Sequence, residues 1–186
     1  MTMQRATPPD GRIETERLVL RPLRLTDAAA ITEGLSDFEV SRWLARVPFP
    51  YRRVDAERFL VWAAGSQARR EERLYAIDTG NGLVGLVSLI ALGAAPVLGY
   101  WLSRAAWGGG LMPEAAAALV AEAFRDPVVR EIRSGVFEGN HRSMRVQEKL
   151  GFVVTGRSIQ HNLALSADLP HIDTVLTRAR HEEFTT

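Results

Sequence analysis

Trp107-Gly108-Gly109-Gly110-Leu111-Met112-Pro113-Glu114-Ala115 is the stretch of this chain whose residue types and spacing best suit it to hold a ligand. Its three consecutive glycines stand between an apolar segment, Val97 to Leu102, and an Ala-rich run from Pro113 to Arg125. A turn leading from a buried strand into a helix aims several backbone N–H groups at one point. Lacking Cβ atoms, the glycines let an anion approach the main chain, and the helix N-terminus adds partial positive charge. The chemistry such a pocket suits is the binding of a phosphate or pyrophosphate. Pro113 fits the first helical turn, where a missing N–H costs least, although it also removes one donor. The plainer reading is a tight turn that seats the helix close to the sheet, and the loop alone leaves both readings open. A dinucleotide fingerprint is disfavoured: Gly108-x-Gly110 begins it, but Pro113 stands where its third glycine belongs.

Other reactive side chains are few. The chain has no cysteine, which excludes disulfides, thiolate nucleophiles and cysteine-bound zinc. No spacing among its four histidines suggests a metal site, so none is expected. His141 falls in an exposed first helical turn, where a solvated role is expected, and His161 and His171 have no supporting pattern. Asn140 and Ser143 lie at a helix start, where both residue types are favoured as caps. Tyr100 and Trp101 are expected in the core and the cleft wall. Arg69-Arg70-Glu71-Glu72-Arg73 is expected as a solvated loop.

The elements that must position these groups follow from periodicity. A chain of 186 residues, 46% hydrophobic and 24% charged, suits one domain, taken here as 13–186 behind a disordered tail over 1–12. The 23 basic and 22 acidic residues are well mixed, which argues against a nucleic-acid surface. Leu83 to Ser103 carries no charge and is long enough to span a bilayer, but Gly93-Ala94-Ala95-Pro96 divides it into two short strands. Arg17 to Arg21 alternates polar and apolar residues like a half-buried strand. Thr26 or Asp27 should cap a helix from Ala28 toward Leu35, with helical pieces following at Val40–Leu44 and from Asp55. Leu74–Asp78, Leu83–Leu92 and Val97–Leu102 form an expected antiparallel meander. Then come a helix over Pro113–Arg125, a strand over Glu131–Phe137, a helix from His141 to Leu150 closed by Gly151, and strands at Phe152–Thr155 and Ile172–Thr177.

Several blocks, in order, resemble the GNAT acyltransferases, and within them the ribosomal-protein N-terminal acetyltransferase (RimJ/RimL-like) group. They are Glu14-Thr15-Glu16-Arg17-Leu18-Val19-Leu20-Arg21-Pro22-Leu23, Gly99-Tyr100-Trp101-Leu102, Trp107-Gly108 with Glu114-Ala115, Asn140-His141-Arg142-Ser143, and Glu148-Lys149-Leu150-Gly151-Phe152. Asp173 stands in the last strand where the group commonly has an aspartate. The resemblance implies an α/β GNAT fold: a mixed, mostly antiparallel sheet with a splayed parallel pair, Val97–Leu102 and Glu131–Phe137, and helices on both faces. It implies acetyl-CoA as co-substrate, its pantetheine beside the backbone of Trp101 and Leu102. Its pyrophosphate would lie in the loop Gly108, Gly109, Gly110, Leu111 and Met112. Asn140 and Ser143 would lie by the thioester, and Lys149, Arg142 or Arg145 by the phosphates.

The implied activity is acetyl transfer to a primary amine in the cytoplasm, by a monomer or homodimer that needs no metal. The favoured acceptor is a protein N-terminal α-amine. A small-molecule amine acetyltransferase and an inactive CoA-binding module are the alternatives. Such a reaction needs a neutral amine, a stabilised oxyanion and a protonated leaving thiolate. Ser143 is the candidate for the thiolate side. The group often has an acidic residue where this chain has Val97, a polar one at Gly109 and a small one at Met112. With no carboxylate at Val97, an α-amine of pKa about 7.7–8.0 is an easier acceptor than a lysine near 10.4.

Overall fold

The computed structural model describes residues 11–185, so the tail expected over 1–12 lies outside the described residues apart from Gly11 and Arg12. The strands are β1 (Ile13–Glu14), β2 (Val19–Pro22), β3 (Arg73–Asp78), β4 (Leu83–Ile90), β5 (Val97–Leu102), β6 (Glu131–Phe137), β7 (Val153–Asn162) and β8 (Ala167–Thr177). The helices are α1 (Ala28–Ser36), α2 (Phe38–Ser41), α3 (Arg53–Ala68), α4 (Leu111–Phe124), α5 (His141–Lys149) and α6 (Arg178–Thr185). The strands form one sheet in the order β1-β2-β3-β4-β5-β6-β8-β7. Each neighbouring pair is antiparallel except β5–β6, which is parallel.

Both faces of the sheet are covered. On one, α4 lays its stripe of Ala116, Leu119, Val120, Ala123 and Phe124 against Leu18, Leu20, Leu98, Ile132 and Leu176. The alanines let the helix approach the strands closely, and all five stripe residues are buried. On the other, α1 and α3 bury Ile31, Leu35, Ala56 and Leu60 around Ala76 and Leu83. Because helices lie on both sides, the alternation of residues 17–21 does not separate core from solvent: Leu20 and Arg21 are both buried.

The last hairpin departs most from the sequence expectation. The strands expected at Phe152–Thr155 and Ile172–Thr177 extend to Asn162 and back to Ala167, paired from Val153↔Val175 to Asn162↔Ala167. Much of that extension is exposed and mixed in polarity, so no apolar period marks it. Pro170 is tolerated within β8 because its register position lies beyond the end of β6, where no ladder partner awaits an N–H. There its carbonyl still accepts the Glu138 N–H at 2.9 Å. The short β1 and the terminal α6 carry no such signal either. α4 begins at Leu111, two residues before Pro113, which therefore occupies its first turn.

Candidate functional site

The parallel strands β5 and β6 are registered at a single position, Val97↔Arg133. Beyond it the Ser134 hydroxyl donates to the Leu98 carbonyl at 3.0 Å, and the ladder is not continued toward Leu102 and Phe137. A cleft of about 1110 Å³ opens there, lined from both faces of the sheet. On the β4 side, Ser103 N–H bonds Val84 at 2.8 Å, which fixes the alternation of the ladder. The backbone groups of Trp101 therefore pair with β4, and those of Tyr100 and Leu102 face the gap. The Leu102 carbonyl already accepts the Trp107 indole N–H at 2.9 Å.

The glycine loop closes one end of this cleft. Gly108 and Gly110 line it and hold φ values of 82° and 75°, where a side chain would be strained. Gly109 is not on the cleft wall; its carbonyl instead accepts the Arg17 guanidinium at 2.8 Å. Arg17 also grips Glu114 through Nε at 2.7 Å, and Glu114 receives Thr15 Oγ1 at 2.6 Å and Arg17 N–H at 2.9 Å. Burial pushes the Glu114 carboxyl up, but the bonds from Thr15 and Arg17 outweigh it and hold the group below the usual range. The opening Thr15-x-Arg17 motif thus ties the first strands to the loop and to the first turn of α4. Leu111 lines the cleft, and Met112 does so with its side chain buried in the core.

Helix α5 borders the same space. Asn140 is its N-cap, accepting the Ser143 N–H at 3.2 Å, so capping falls to Asn140 and the Ser143 hydroxyl takes no part in it. That hydroxyl lies 2.9 Å from the Tyr100 hydroxyl, which also reaches the Ser143 carbonyl at 3.2 Å. Burial raises the Tyr100 pKa, the hydrogen bonds to Ser143 and Gln147 opposing it, so the phenol stays protonated at neutral pH. Gln147 anchors the helix: its amide donates to Ser134 Oγ at 3.0 Å and to the Gly135 carbonyl at 3.2 Å, and Thr174 donates to it at 2.6 Å. Arg142 stacks on the Trp107 ring at 4.9 Å, and Arg142, Arg145 and Lys149 line the cleft.

The opposite face of the gap carries a second polar group. His171 Nδ1 lies 2.8 Å from Asp173 Oδ1, which also accepts the Ser158 hydroxyl at 2.9 Å. Trp43 and Arg46 wall this side. The segment holding them is tied to the β7–β8 hairpin by Asn162, fully buried, whose amide donates to the Arg42 carbonyl at 2.9 Å. The main chain adds Leu163 N–H to Ala45 at 3.1 Å.

The cleft therefore brings together Trp101, Leu102, Gly108, Gly110, Leu111, Met112, Asn140, Ser143 and Lys149, with Gly109 set behind it. Sequence reasoning placed Tyr100 in core or wall and overlooked its bond to Ser143. It also gave His171 no role, although the i, i+2 spacing to Asp173 on one strand puts both on one face. His141 is exposed, and His161 pairs with Asp168 at 2.7 Å in the exposed hairpin. Among the described residues no cluster of three or more His, Cys, Asp or Glu could hold a metal, and no helix is long and apolar enough to cross a membrane.

Known proteins resemble this chain in sequence or in fold. YjcK of Bacillus subtilis (strain 168), named a probable N-acetyltransferase, is 31% identical over 150 residues, covering 75% of this chain and 82% of that protein. The structure of Mycobacterium smegmatis RimJ in complex with CoA-disulfide superposes with a TM-score of 0.79 at 18% identity, over 91% of this chain and 87% of that one. RimL, a ribosomal L7/L12 alpha-N-protein acetyltransferase in complex with coenzyme A, gives 0.79 at 18% identity, over 89% and 97%. At such identities these two structures speak for the fold. The profile of the acetyltransferase (GNAT) domain matches residues 17–153, and with the relative from Bacillus it establishes that this chain belongs to the GNAT acetyltransferases.

Proposed function

We propose that this N-acetyltransferase moves an acetyl group from acetyl-CoA to the α-amine of a protein N-terminus, in a reducing cytoplasm that suits its cysteine-free sequence. The observation that carries the reading is the cleft through the sheet, with the glycine loop at one end and a hydroxyl pair, Tyr100–Ser143, on its wall. Gly108, Gly110 and the α4 N-terminus suit the pyrophosphate. The cations of Arg142, Arg145 and Lys149 suit the remaining phosphate charge. The outward backbone groups of Tyr100 and Leu102 suit the pantetheine amides, as an added strand would pair with them.

The chemistry follows from the same positions. The neutral amine attacks the thioester carbonyl, and the carbon–sulfur bond breaks with its electrons on sulfur. When Tyr100 donates to Ser143 Oγ, the Ser143 proton is free to meet that sulfur. The nitrogen sheds one proton as the amide forms, and that proton restores the hydroxyl pair, so the exchange is neutral overall. The α-amine acceptor is supported by what stands at Val97: no carboxylate there is available to deprotonate a lysine, whereas an α-amine of pKa about 8 is part neutral already. RimL, which shares the fold, is named an alpha-N-protein acetyltransferase.

The test is a pair of measurements. Acetyl-CoA and free CoA should each raise the melting temperature, because both bind only the folded protein. Acetyl transfer to tetrapeptides with free N-termini should then exceed transfer to polyamines and to internal lysines of blocked peptides. Absence of any melting shift removes the CoA site, while preference for polyamines moves the acceptor to small molecules.

The Arg17 tie yields a separate expectation. Removing it frees the Gly109 carbonyl and leaves the Glu114 carboxylate uncompensated beside the anion site. Arg17→Ala should weaken CoA binding about tenfold, near 1.4 kcal/mol. Arg17→Lys should recover little, since an ammonium cannot make the forked contact. Titration calorimetry with free CoA reads this directly; equal affinities in wild type and Arg17→Ala would mean that the loop holds itself.

A further inference from the structure

We propose that His171, held by Asp173, takes the proton from the incoming ammonium on the face of the sheet opposite to Tyr100 and Ser143. The register decides the faces. Val97 stands beside Arg133 and Gly135 beside Asp173, so Gly99, Trp101, Gly135, Phe137, His171 and Asp173 share one side of the sheet. Ser134 and Thr174 point to the other side, where both bond Gln147 of α5. Tyr100, bonded to Ser143 of α5, lies on that side too. The gap between β5 and β6 joins the two sides. A thioester in that gap has hydroxyls on one flank and an imidazole on the other. This is the separation that proton delivery to sulfur and proton removal from nitrogen require.

His171 is built in rather than incidental. A Cβ on Gly135 would lie 2.2 Å from His171 Cε1, so the ring occupies the space that this glycine leaves empty. Phe137 packs against it edge-on at 5.5 Å. Nδ1 is engaged by Asp173, and Asp173 is itself fixed by Ser158. Among the described residues no group bonds Nε2. With Nδ1–H donated to the carboxylate, Nε2 carries the lone pair that can accept a proton. The imidazole side chain is 11% exposed and Asp173 37%, so the pair is sheltered yet reachable from the cleft.

The surrounding charges leave the pair in control. β6 presents Gly135 and Phe137 to the ring, β7 presents Ser158 and Gln160, and β8 presents Asp173. Of these only Asp173 is charged. Arg46 lines the same cleft from the segment after α2, Glu131 and Arg133 pair with each other at 2.9 Å near the start of β6, and the cations of α5 lie across the gap. Asp173 offers an incoming ammonium an attractive carboxylate and then stabilises the imidazolium that forms. In the balanced step, His171 takes one proton from R–NH3⁺ and later releases it to solvent. The nitrogen lone pair forms the C–N bond, and the C–S bond breaks. The second proton shed by nitrogen matches the one gained by sulfur.

The inference rests on the amine-acceptor reading above and deepens it. The test compares wild type, His171→Gln and Asp173→Asn, using acetyl-CoA and tetrapeptides covering every N-terminal residue, across pH. His171→Gln should lose about 10²-fold in kcat/KM at neutral pH. That loss should shrink as pH rises past about 8, where the peptide amine deprotonates unaided. Asp173→Asn should lose about tenfold with the same trend, and the melting shift with acetyl-CoA should stay as in wild type. A loss equal at all pH values, or none, overturns the proposal. Wild type that acetylates polyamines but no peptide removes the α-amine reading alone, and the same comparison is then made on the polyamine. Wild type that binds acetyl-CoA and acetylates neither overturns both.

Discussion

Ser143→Ala is expected to lower kcat by about 10²-fold while leaving acetyl-CoA affinity within a few-fold of wild type. The substitution deletes one hydroxyl and nothing else that holds the helix. The α5 cap is the Asn140 side chain accepting the Ser143 backbone N–H at 3.2 Å, and alanine keeps that N–H. Loss of activity therefore reads the hydroxyl and not the helix. Tyr100→Phe removes the partner 2.9 Å away and should act through the same proton. Because the two hydroxyls form one unit, the double variant should be little worse than the poorer single one. Independent, additive losses in steady-state kinetics would show that the pair does not work as a relay. A fully active Ser143→Ala would remove the serine from the chemistry. The raised pKa of Tyr100, caused by burial, adds that the pair stays protonated through the neutral range, so no loss of its function with pH is expected there.

What the sequence made legible, and what it hid, divides along physical lines. Val97–Leu102 and Glu131–Phe137 are observed with the boundaries expected, because the apolar residues of each stand between turn and breaker residues, Pro96 and Ser103 for the first, Pro127 and Gly139 for the second. The glycine loop and the α5 start were visible because glycine, proline and asparagine act locally: Gly108 and Gly110 take positive φ, and Asn140 caps its own helix. The long β7–β8 hairpin was hidden because, beyond the end of β6, its two strands pair only with each other, and backbone pairing leaves no hydropathy signature. His171 was passed over for a related reason. Its significance comes from Gly135 on one neighbouring strand and Ser158 on the other, residues distant in sequence whose meaning appears only in the register. For Tyr100, nothing in a strand sequence tells which helix its hydroxyl will meet.

Arg21 carries no signal of its own in the sequence, and its replacement should produce the largest change in stability. It belongs to a strand whose alternation suggested a solvent-facing side, yet its side chain is only 7% exposed under the helices of that face. Its guanidinium meets Asp27 at 2.8 and 3.0 Å and Asp78 at 2.7 Å, so one cation holds two carboxylates together. The three residues tie β2, β3 and the entry to α1, and Asp27 also accepts the Arg24 N–H at 2.7 Å. Arg21→Met fills much of the space but strands two sheltered anions side by side. Removing one partner of such a cluster costs about 3–5 kcal/mol, a fall in Tm of roughly 10 °C for a chain of this size.

The pH dependence identifies the cause. In the wild type, burial pushes the Asp78 carboxyl up, but bonds from Arg21 and from the Gly80 and Gly82 N–H groups outweigh it and hold it low. A carboxylate with a depressed folded-state pKa stabilises the protein above its unfolded value, about 3.9, and that contribution is lost as pH falls below it. In Arg21→Met the Asp78 carboxyl loses the cation that held it low, and burial then pushes it up. Acidification toward pH 5 should then narrow the stability gap between variant and wild type, since protonating that carboxyl removes its unpaired charge. Chemical denaturation at several pH values measures this gap. A gap that stays constant with pH would assign the loss to packing around the arginine stem, and charge pairing would not be what holds this corner of the sheet.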